Sequence, residues 1–296
     1  GEFLGEDSGL AAVEAGAFGE AAQLGQRLLG GDAGLRASRV AYADNRLASI
    51  GGTTRFSWRE GDLTARYDLQ GQDLATAQAV ASEVGVEGML RARRDFERIE
   101  FDADIDGRGV RLGSGIDSAL ADAASAAEDT LLGPILDRIR DRLAAEGRDS
   151  RLTGMLALRR TSGRTSLAVP ILSLRGGSDS TLLSLSRFQL ATGGSAARRF
   201  AGNFATDGEG LPRIAGRIEQ QPGGAVQVRL RMADYAVGES RLAIPELVLL
   251  GRPDGALGFA GEVHASGALP GGAAEALVLP IAGNWSAPRG LVMWNQ

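Results

Sequence analysis

Residues 225–232 read AVQVRLRM, a stretch in which apolar and polar side chains alternate. Successive side chains of a β-strand point to opposite faces, so Val228 and Leu230 share one face. Arg229 and Arg231 occupy the other face. The stretch therefore predicts a strand with one aliphatic side and one charged, solvated side.

The same period of two recurs through most of the chain. Residues 35–69 and 98–112 show it, and from residue 151 to the end ten such segments follow one another. Turns rich in Gly, Asp and Pro separate them at intervals of roughly 10 to 15 residues, which is typical of an antiparallel meander. The sequence thus predicts a mainly β fold built on an extended, curved antiparallel sheet.

Two segments depart from this pattern and predict helices. Residues 9–29 are alanine-rich with apolar residues at loosely helical spacing, and residues 116–146 form a second helical region. The part at 134–146 is amphipathic, with an apolar stripe too wide for a solvated helix. We expect this stripe to act as a plug that completes the core or as a lid across a groove. Its residues are Leu132, Ile135, Leu136, Ile139 and Leu143.

The helices divide the chain into four predicted parts. An N-terminal helical segment at 1–30 precedes strands at 31–114, and a helical insertion at 115–150 precedes the remaining strands at 151–296.

Composition excludes several classes of function. All 32 basic residues among the 296 are arginine, cysteine is absent and the net charge is −5. Without lysine there is no phosphate-loop lysine and no Schiff-base chemistry, and without cysteine no disulfide, thiol nucleophile or zinc ribbon. Net acidity argues against a nucleic-acid platform. We expect no enzyme activity and no cofactor.

The remaining polar patterns do not assemble into a catalytic or metal site. Asp102, Asp104 and Asp106 alternate on one strand face, and a solvated acidic face explains them more simply than a cation site does. His264 is the single histidine, and no GxSxG nucleophile motif accompanies it.

Arginines cluster at 91, 93 and 94, at 159 and 160, and at 198 and 199. They suit anionic headgroups or phosphates, and also plain solvation at strand ends.

The aliphatic face poses the main physical question. Two helical regions cannot cover ten strands, so the face must pack into a sandwich, close into a barrel or hold an apolar ligand. Three alternatives stay open on these grounds. One is an open groove that holds an apolar ligand, and the second is a secreted or periplasmic β-sandwich or adhesin-type binding module with a closed core. The third is an outer-membrane β-barrel or autotransporter piece, which the low aromatic content of 5% disfavours.

Three stretches in the second half of the chain resemble a known family. They are YAVGESRLAIPELVLL at 235–250, GALGFAGEVHASGALPGGAAEALVLPIAGNW at 255–285 and RGLVMW at 289–294. Together with the helical interruption at 130–158, they resemble the C-terminal part of YdbH-type members of the AsmA-like group. The likeness covers about residues 115–296, and more loosely 35–114.

The resemblance implies a fold and a function. AsmA-like proteins carry an N-terminal inner-membrane helix and a long sheet curled into a β-groove that conducts phospholipids across the periplasm of Gram-negative bacteria. We therefore expect a fragment whose anchor would precede it, with phospholipids and the inner membrane as partners, and outer-membrane or periplasmic proteins in addition. No nucleic acid is expected, and the family carries no catalytic motif.

Alternation then selects the residues expected to line the concave side of the groove. They are Leu156, Leu158, Val169, Ile171, Val226, Val228, Leu230, Leu242, Ile244, Val248, Phe259 and Val263.

Overall fold

A computed structural model describes residues 12–18, 28–94, 96–126, 132–193, 199–267, 276–286 and 290–293. Seven strands precede the helices: β1 Ala12–Phe18, β2 Leu28–Tyr42, β3 Asn45–Arg59, β4 Asp62–Ala75, β5 Ala79–Arg93, β6 Arg98–Arg108 and β7 Arg111–Leu112. Helices α1 Ser114–Ala126 and α2 Leu132–Glu146 follow, with a 3-10 turn at Gly147–Asp149.

Ten described strands come after the helices. They are β8 Arg151–Thr161, β9 Arg164–Arg175, β10 Thr181–Thr192, β11 Arg199–Thr206, β12 Ile214–Gln220, β13 Val226–Val237, β14 Ser240–Gly251, β15 Leu257–Gly267, β16 Leu277–Ser286 and β17 Gly290–Met293.

All described strands belong to one antiparallel sheet that follows chain order. Each strand pairs with the next except β7, which pairs with β5, and β6 pairs with β8 across the helical insertion. Strands β1 and β17 lie at the two edges. Tight hairpins make this possible. At Glu60-Gly61 and Ser162-Gly163 both residues have positive φ, the turn geometry that matches the right-handed twist of paired strands. The prediction of a mainly β, open curved sheet that forms a β-groove is confirmed.

Alternate hairpins meet at the same border of the sheet, which gives it two rims. We call the border with turns 176–180, 207–213 and 238–239 the helix rim, because both helices leave the sheet there between β7 and β8. The border with turns 60–61, 94–97 and 162–163 is the open rim.

The helix predicted at 9–29 is wrong where the structure describes it. Residues 12–18 form β1, which pairs with β2 from Ala12 opposite Ser38 to Phe18 opposite Asp32, and β2 already begins at Leu28. Alanine favours helix only weakly, and a neighbouring strand with free backbone groups outweighs that preference. Residues 9–11 and 19–27 lie outside the described part.

The helices predicted within 116–146 are confirmed. Pro134 falls in the first turn of α2, where its missing N–H costs no hydrogen bond. No helix among the described residues is long and apolar enough to span a bilayer.

A pair of strand glycines tests the packing of this sheet. A Cβ at Gly88 would overlap the Asp102 carbonyl oxygen and the Tyr67 hydroxyl, whereas one at Gly51 would meet only the Leu35 carbonyl at 3.6 Å. We expect Gly88→Ala to lower the free energy of unfolding by about 1–3 kcal/mol. Gly51→Ala, the control, should change it by less than about 1 kcal/mol. Denaturant unfolding measures both, and equal effects would contradict the register of β4, β5 and β6.

Candidate functional site

One face of the sheet carries an unbroken row of apolar residues from β2 to β16. Residues directly opposite each other in antiparallel strands share a face, so the pairing registers identify the row. At about 4.8 Å per strand, it extends roughly 60 Å along the sheet. Its members are Leu35, Gly52, Leu69, Val86, Ile105, Gly154, Leu172, Leu185, Phe204, Gly216, Leu230, Leu247, Gly261 and Ile281. We call the face that holds this row the apolar face.

The other side of the sheet, the charged face, is held by cross-strand ion pairs. Arg55 lies 2.7 Å from Asp32, and Arg159 lies 2.7 Å from Asp102. Asp106 pairs with Arg151 in the same way. Two of the three aspartates in the predicted acidic strand thus neutralise arginines. Within the described ranges, no group of His, Cys, Asp or Glu side chains suits a metal ion.

Ten of the twelve residues predicted to line the groove lie on the apolar face. Val228, for example, stands opposite Leu249, and Leu158 stands opposite Phe101 and Leu167. Their contact with lipid stays a prediction. The ten are Leu156, Leu158, Val169, Val226, Val228, Leu230, Leu242, Ile244, Phe259 and Val263.

Ile171 and Val248 were placed on the wrong face. Ile171 stands opposite Met155 and is 51% exposed, while Val248 stands opposite Arg229. A bulge inserts one extra residue before each of them, in β9 next to Pro170 and in β14 at Pro245. Proline has no N–H for the ladder, so it favours bulges, and each bulge reverses the alternation that follows.

The register also shows which residues alternation alone missed. Beyond the two bulges, Leu172 and Leu247 occupy the apolar face in place of Ile171 and Val248. The proline in each strand is the sequence signal that would have found them.

Aromatic side chains cover several glycines on the apolar face. Tyr67 stands opposite Gly88, and Phe204 opposite Gly216. A Cβ on either glycine would collide with the aromatic neighbour. Because glycine leaves room, each ring lies down along the sheet and replaces a protruding side chain with a flat apolar surface.

Tyr67 is the most constrained of these rings. Its ring stacks on that of Phe101 with 5.2 Å between centroids, and its hydroxyl donates to the Asp102 carbonyl oxygen at 2.6 Å. Burial, assisted by the negative charges of Asp102 and Asp104, raises the pKa of Tyr67 to about 12. The hydroxyl therefore stays protonated throughout the physiological range.

Little protein covers the apolar face away from α2. The buried apolar residues on this face of β2 to β6 are alanines, whose short side chains are covered by their neighbours: Ala37, Ala65, Ala92 and Ala103. Larger residues there, such as Leu69 and Val86, stay partly exposed. In the described residues no second sheet lies against this face.

Helix α2 covers the apolar face near the helix rim of β13 to β15. Ile135 is only 4% exposed and packs in a cluster of buried residues from these strands, which Ile139 joins from the same helix face. Leu136 and Leu143 are half-buried, and the Leu132 side chain lies outside the described part. The strand members of the cluster are Met232, Leu242, Ile244 and Ala265.

Polar contacts fasten α2 to three successive hairpins of the helix rim. Glu146 accepts a hydrogen bond from the Ser178 N–H at 3.3 Å, and Arg142 donates to the Glu209 carbonyl oxygen at 2.9 Å. Arg138 lies over the ring of Tyr235, with 5.8 Å between its guanidinium carbon and the ring centroid. The three helix residues are four positions apart and share one helix face. The helix therefore closes this stretch of the helix rim.

An open sheet with one long apolar face and one charged face defines the protein as a β-groove suited to lipid. The chain belongs to the YdbH-like family, since the family model described as intermembrane phospholipid transport protein YdbH matches residues 20–292. The resemblance noted from the sequence is thereby confirmed, and lipid transport is the activity of the family. No curated protein and no solved structure matches the chain.

Alkaline titration tests the environment of Tyr67. Its pKa lies above the usual value of about 10, so its hydrogen bond stabilises the fold fully below that pH and is lost as pH rises toward 12. We expect tyrosinate absorbance to show a late step that Tyr67→Phe removes, while Tyr235→Phe leaves the step in place. Ionisation of all three tyrosines together near pH 10 would contradict the assignment.

Truncation of the Ile135 side chain tests whether α2 packs against the sheet. Because Ile135 is buried in the cluster, Ile135→Ala should lower the free energy of unfolding by about 2–5 kcal/mol. Asp141→Ala, on the exposed side of the same helix, should change it by less than about 0.5 kcal/mol. Thermal or denaturant unfolding gives both values. A negligible effect at Ile135 would mean that the helix does not rest on the sheet.

Proposed function

We propose that this chain carries phospholipids between the inner and outer membranes of a Gram-negative bacterium, with acyl chains lying along the apolar face. The observation that carries the proposal is the row of apolar residues that crosses fourteen strands without a charged member. Monomeric proteins rarely expose a continuous apolar surface of this extent unless a ligand or partner covers it.

Burial of acyl chains supplies the binding energy. Each CH₂ group removed from water contributes about 0.8 kcal/mol, so a chain of ordinary length binds without a specific polar contact. Because the row is chemically uniform, a lipid meets similar surfaces as it moves from strand to strand. The flux is then passive or driven by partner proteins.

The proposed location follows from the same function. A carrier between two membranes works in the periplasm, and an inner-membrane helix that precedes this chain in the full-length protein would tether it there. Outer-membrane or periplasmic proteins would receive or deliver the lipid. The family description as an intermembrane phospholipid transport protein supports this placement, and the chain would act as a carrier and not as an enzyme.

Helix α2 has one of two roles in this proposal. As a plug, it completes the core where β13 to β15 would otherwise expose Leu242 and Ile244. As a lid, it shields bound acyl chains at the helix rim. Lipid content distinguishes the roles, because loss of a lid changes the amount of lipid bound and leaves the fold intact.

The second function considered from the sequence, a closed β-sandwich binding module, has less support. A sandwich needs two sheets face to face, and the described strands form a single sheet.

Adjacent residues in β14 provide the sharpest test of the groove. Leu247 lies on the apolar face and Val248 on the charged face. Leu247→Arg should block lipid passage in the full-length protein, because a charge facing acyl chains without a partner costs several kcal/mol. Val248→Arg, with the same change in size and charge, should leave passage intact.

Photo-crosslinking in cells reads out the path directly. A crosslinker at position 228 should capture labelled phospholipid, and one at position 229 should not, because these residues point to opposite faces. Equal capture at both positions, or capture at neither, would count against a lipid groove. So would equal transport by the two arginine variants of β14.

A further inference from the structure

Two arginine clusters that lie far apart in the sequence meet at the open rim. Arg93 of β5 stands opposite Arg98 of β6, and Arg98 stands opposite Thr161 of β8, which in turn stands opposite Arg164 of β9. This row ends the charged face at the rim, because the adjacent residues Ala92 and Ile99 lie on the apolar face. Arg94 lies in the adjoining turn. Segments 91–100 and 159–164 together hold seven arginines and three acidic residues, a net charge of +4 in a chain of net charge −5.

The carboxylates of this region form ion pairs with only some of the arginines. Glu100 pairs with Arg98 at 2.6 Å and with Arg91 at 3.9 Å, and Asp102 pairs with Arg159. A hydrogen bond from Arg98, with the charges of Arg159 and Arg93, holds the pKa of Glu100 below its usual range. Four exposed arginines then form no ion pair with any described residue: Arg93, Arg94, Arg160 and Arg164.

Arg160 connects this cluster with the apolar face. It stands opposite Ile99 in the row that contains Leu63 and Ala92, at the margin of the apolar face beside the open rim. Other rows of the same face continue inward from there with apolar residues, beginning with Leu158. A guanidinium thus borders the surface on which acyl chains would lie.

Aromatic residues mark the same margin. Trp58 and Phe96 lie with 5.7 Å between ring centroids, and Phe96 is 49% exposed in the turn beside Arg94. Rings of this kind favour the boundary between apolar and hydrated surroundings. Like charges on directly opposite strands cost stability, so the packing of the sheet does not account for Arg93 opposite Arg98.

We propose that these arginines bind the phosphate of a phospholipid headgroup while its acyl chains occupy the neighbouring apolar face. The inference rests on the proposed function and names the part of the lipid that this rim recognises. Guanidinium groups match phosphate oxygens in charge and in paired hydrogen-bond geometry. The helices lie at the opposite rim, so a headgroup at the open rim stays hydrated and need not pass beneath α2.

The test compares two lipids that carry the same fluorescent acyl chain, a phosphatidylglycerol and an uncharged diacylglycerol, titrated against the whole chain in neutral detergent. The cluster variant replaces Arg93, Arg94, Arg160 and Arg164 by Gln. Its control replaces by Gln four other exposed arginines that pair with no acidic side chain in the described ranges, which gives the same change in net charge: Arg36, Arg46, Arg229 and Arg231. Circular dichroism verifies that both variants fold.

We expect the Kd of the cluster variant for phosphatidylglycerol to rise about tenfold or more, as loss of charged hydrogen bonds predicts. Its Kd for diacylglycerol and both Kd values of the control variant should stay within about twofold of the wild type. Weak binding of inorganic phosphate alone, far below that of the phospholipid, supports a headgroup as the source of the phosphate.

Other outcomes overturn the proposal in distinct ways. If both lipids bind the wild type and the cluster variant equally, the headgroup site fails and the groove stands. An equal loss in the control variant would mean a general charge effect. If inorganic phosphate binds as tightly as the phospholipid and depends on the cluster, the site is one for free anions. If neither lipid binds the wild type, the proposed function fails as well.

Discussion

The structure depends on a constraint of parity: every strand must present its apolar residues to the same side as its neighbours. A shift of one residue in any hairpin would turn all later side chains of that strand to the opposite face. The row from Leu35 to Ile281 shows that the registers maintain parity over fourteen strands. Bulges at Pro170 and Pro245 reverse the alternation within a strand, and the sequence compensates by placing Leu172 and Leu247 where the apolar face resumes.

Glycine and aromatic residues serve this constraint together. The chain holds 43 glycines and few aromatic residues, an unusual ratio for a core that fills itself. On the apolar face, Tyr67 and Phe204 lie over glycines of the next strand. Such pairs keep the surface apolar and low, which suits a ligand that lies on it. A self-filling core would instead need bulky side chains at these positions to interlock with a second layer.

Alternation in the sequence was sufficient to predict the sheet, its polarity and the face on which ten of the twelve candidate groove residues lie. Alternation assigned Ile171 and Val248 to the wrong face, because a strict period of two does not reveal a bulge. The proline in each strand is the additional signal that indicates one. The alanine-rich stretch at 9–29 misled for another reason. Local helix preference is weak, and pairing of β1 with β2 is a contact between distant residues that no local pattern contains.

The helix at 134–146 was predicted correctly because its apolar stripe is too wide for a solvated helix and must pack against another surface. Its packing against β13 to β15 could not be predicted, since these strands lie about a hundred residues further along the chain. The meeting of the arginines at 91–98 with those at 159–164 escaped prediction for the same reason. It depends on β6 pairing with β8 across the whole helical insertion.

The two rims of the sheet therefore differ in a way that would orient a bound lipid. At the helix rim, α2 is fastened to successive hairpins through Arg138, Arg142 and Glu146, which leaves its basic groups engaged with the protein. At the open rim, arginines that form no ion pair with a described residue stand beside Trp58 and Phe96. A phosphate cannot enter the apolar rows without a large desolvation cost, so it must remain at a rim. The charges favour the open one, and acyl chains that enter from there would extend along the strands toward the helix rim.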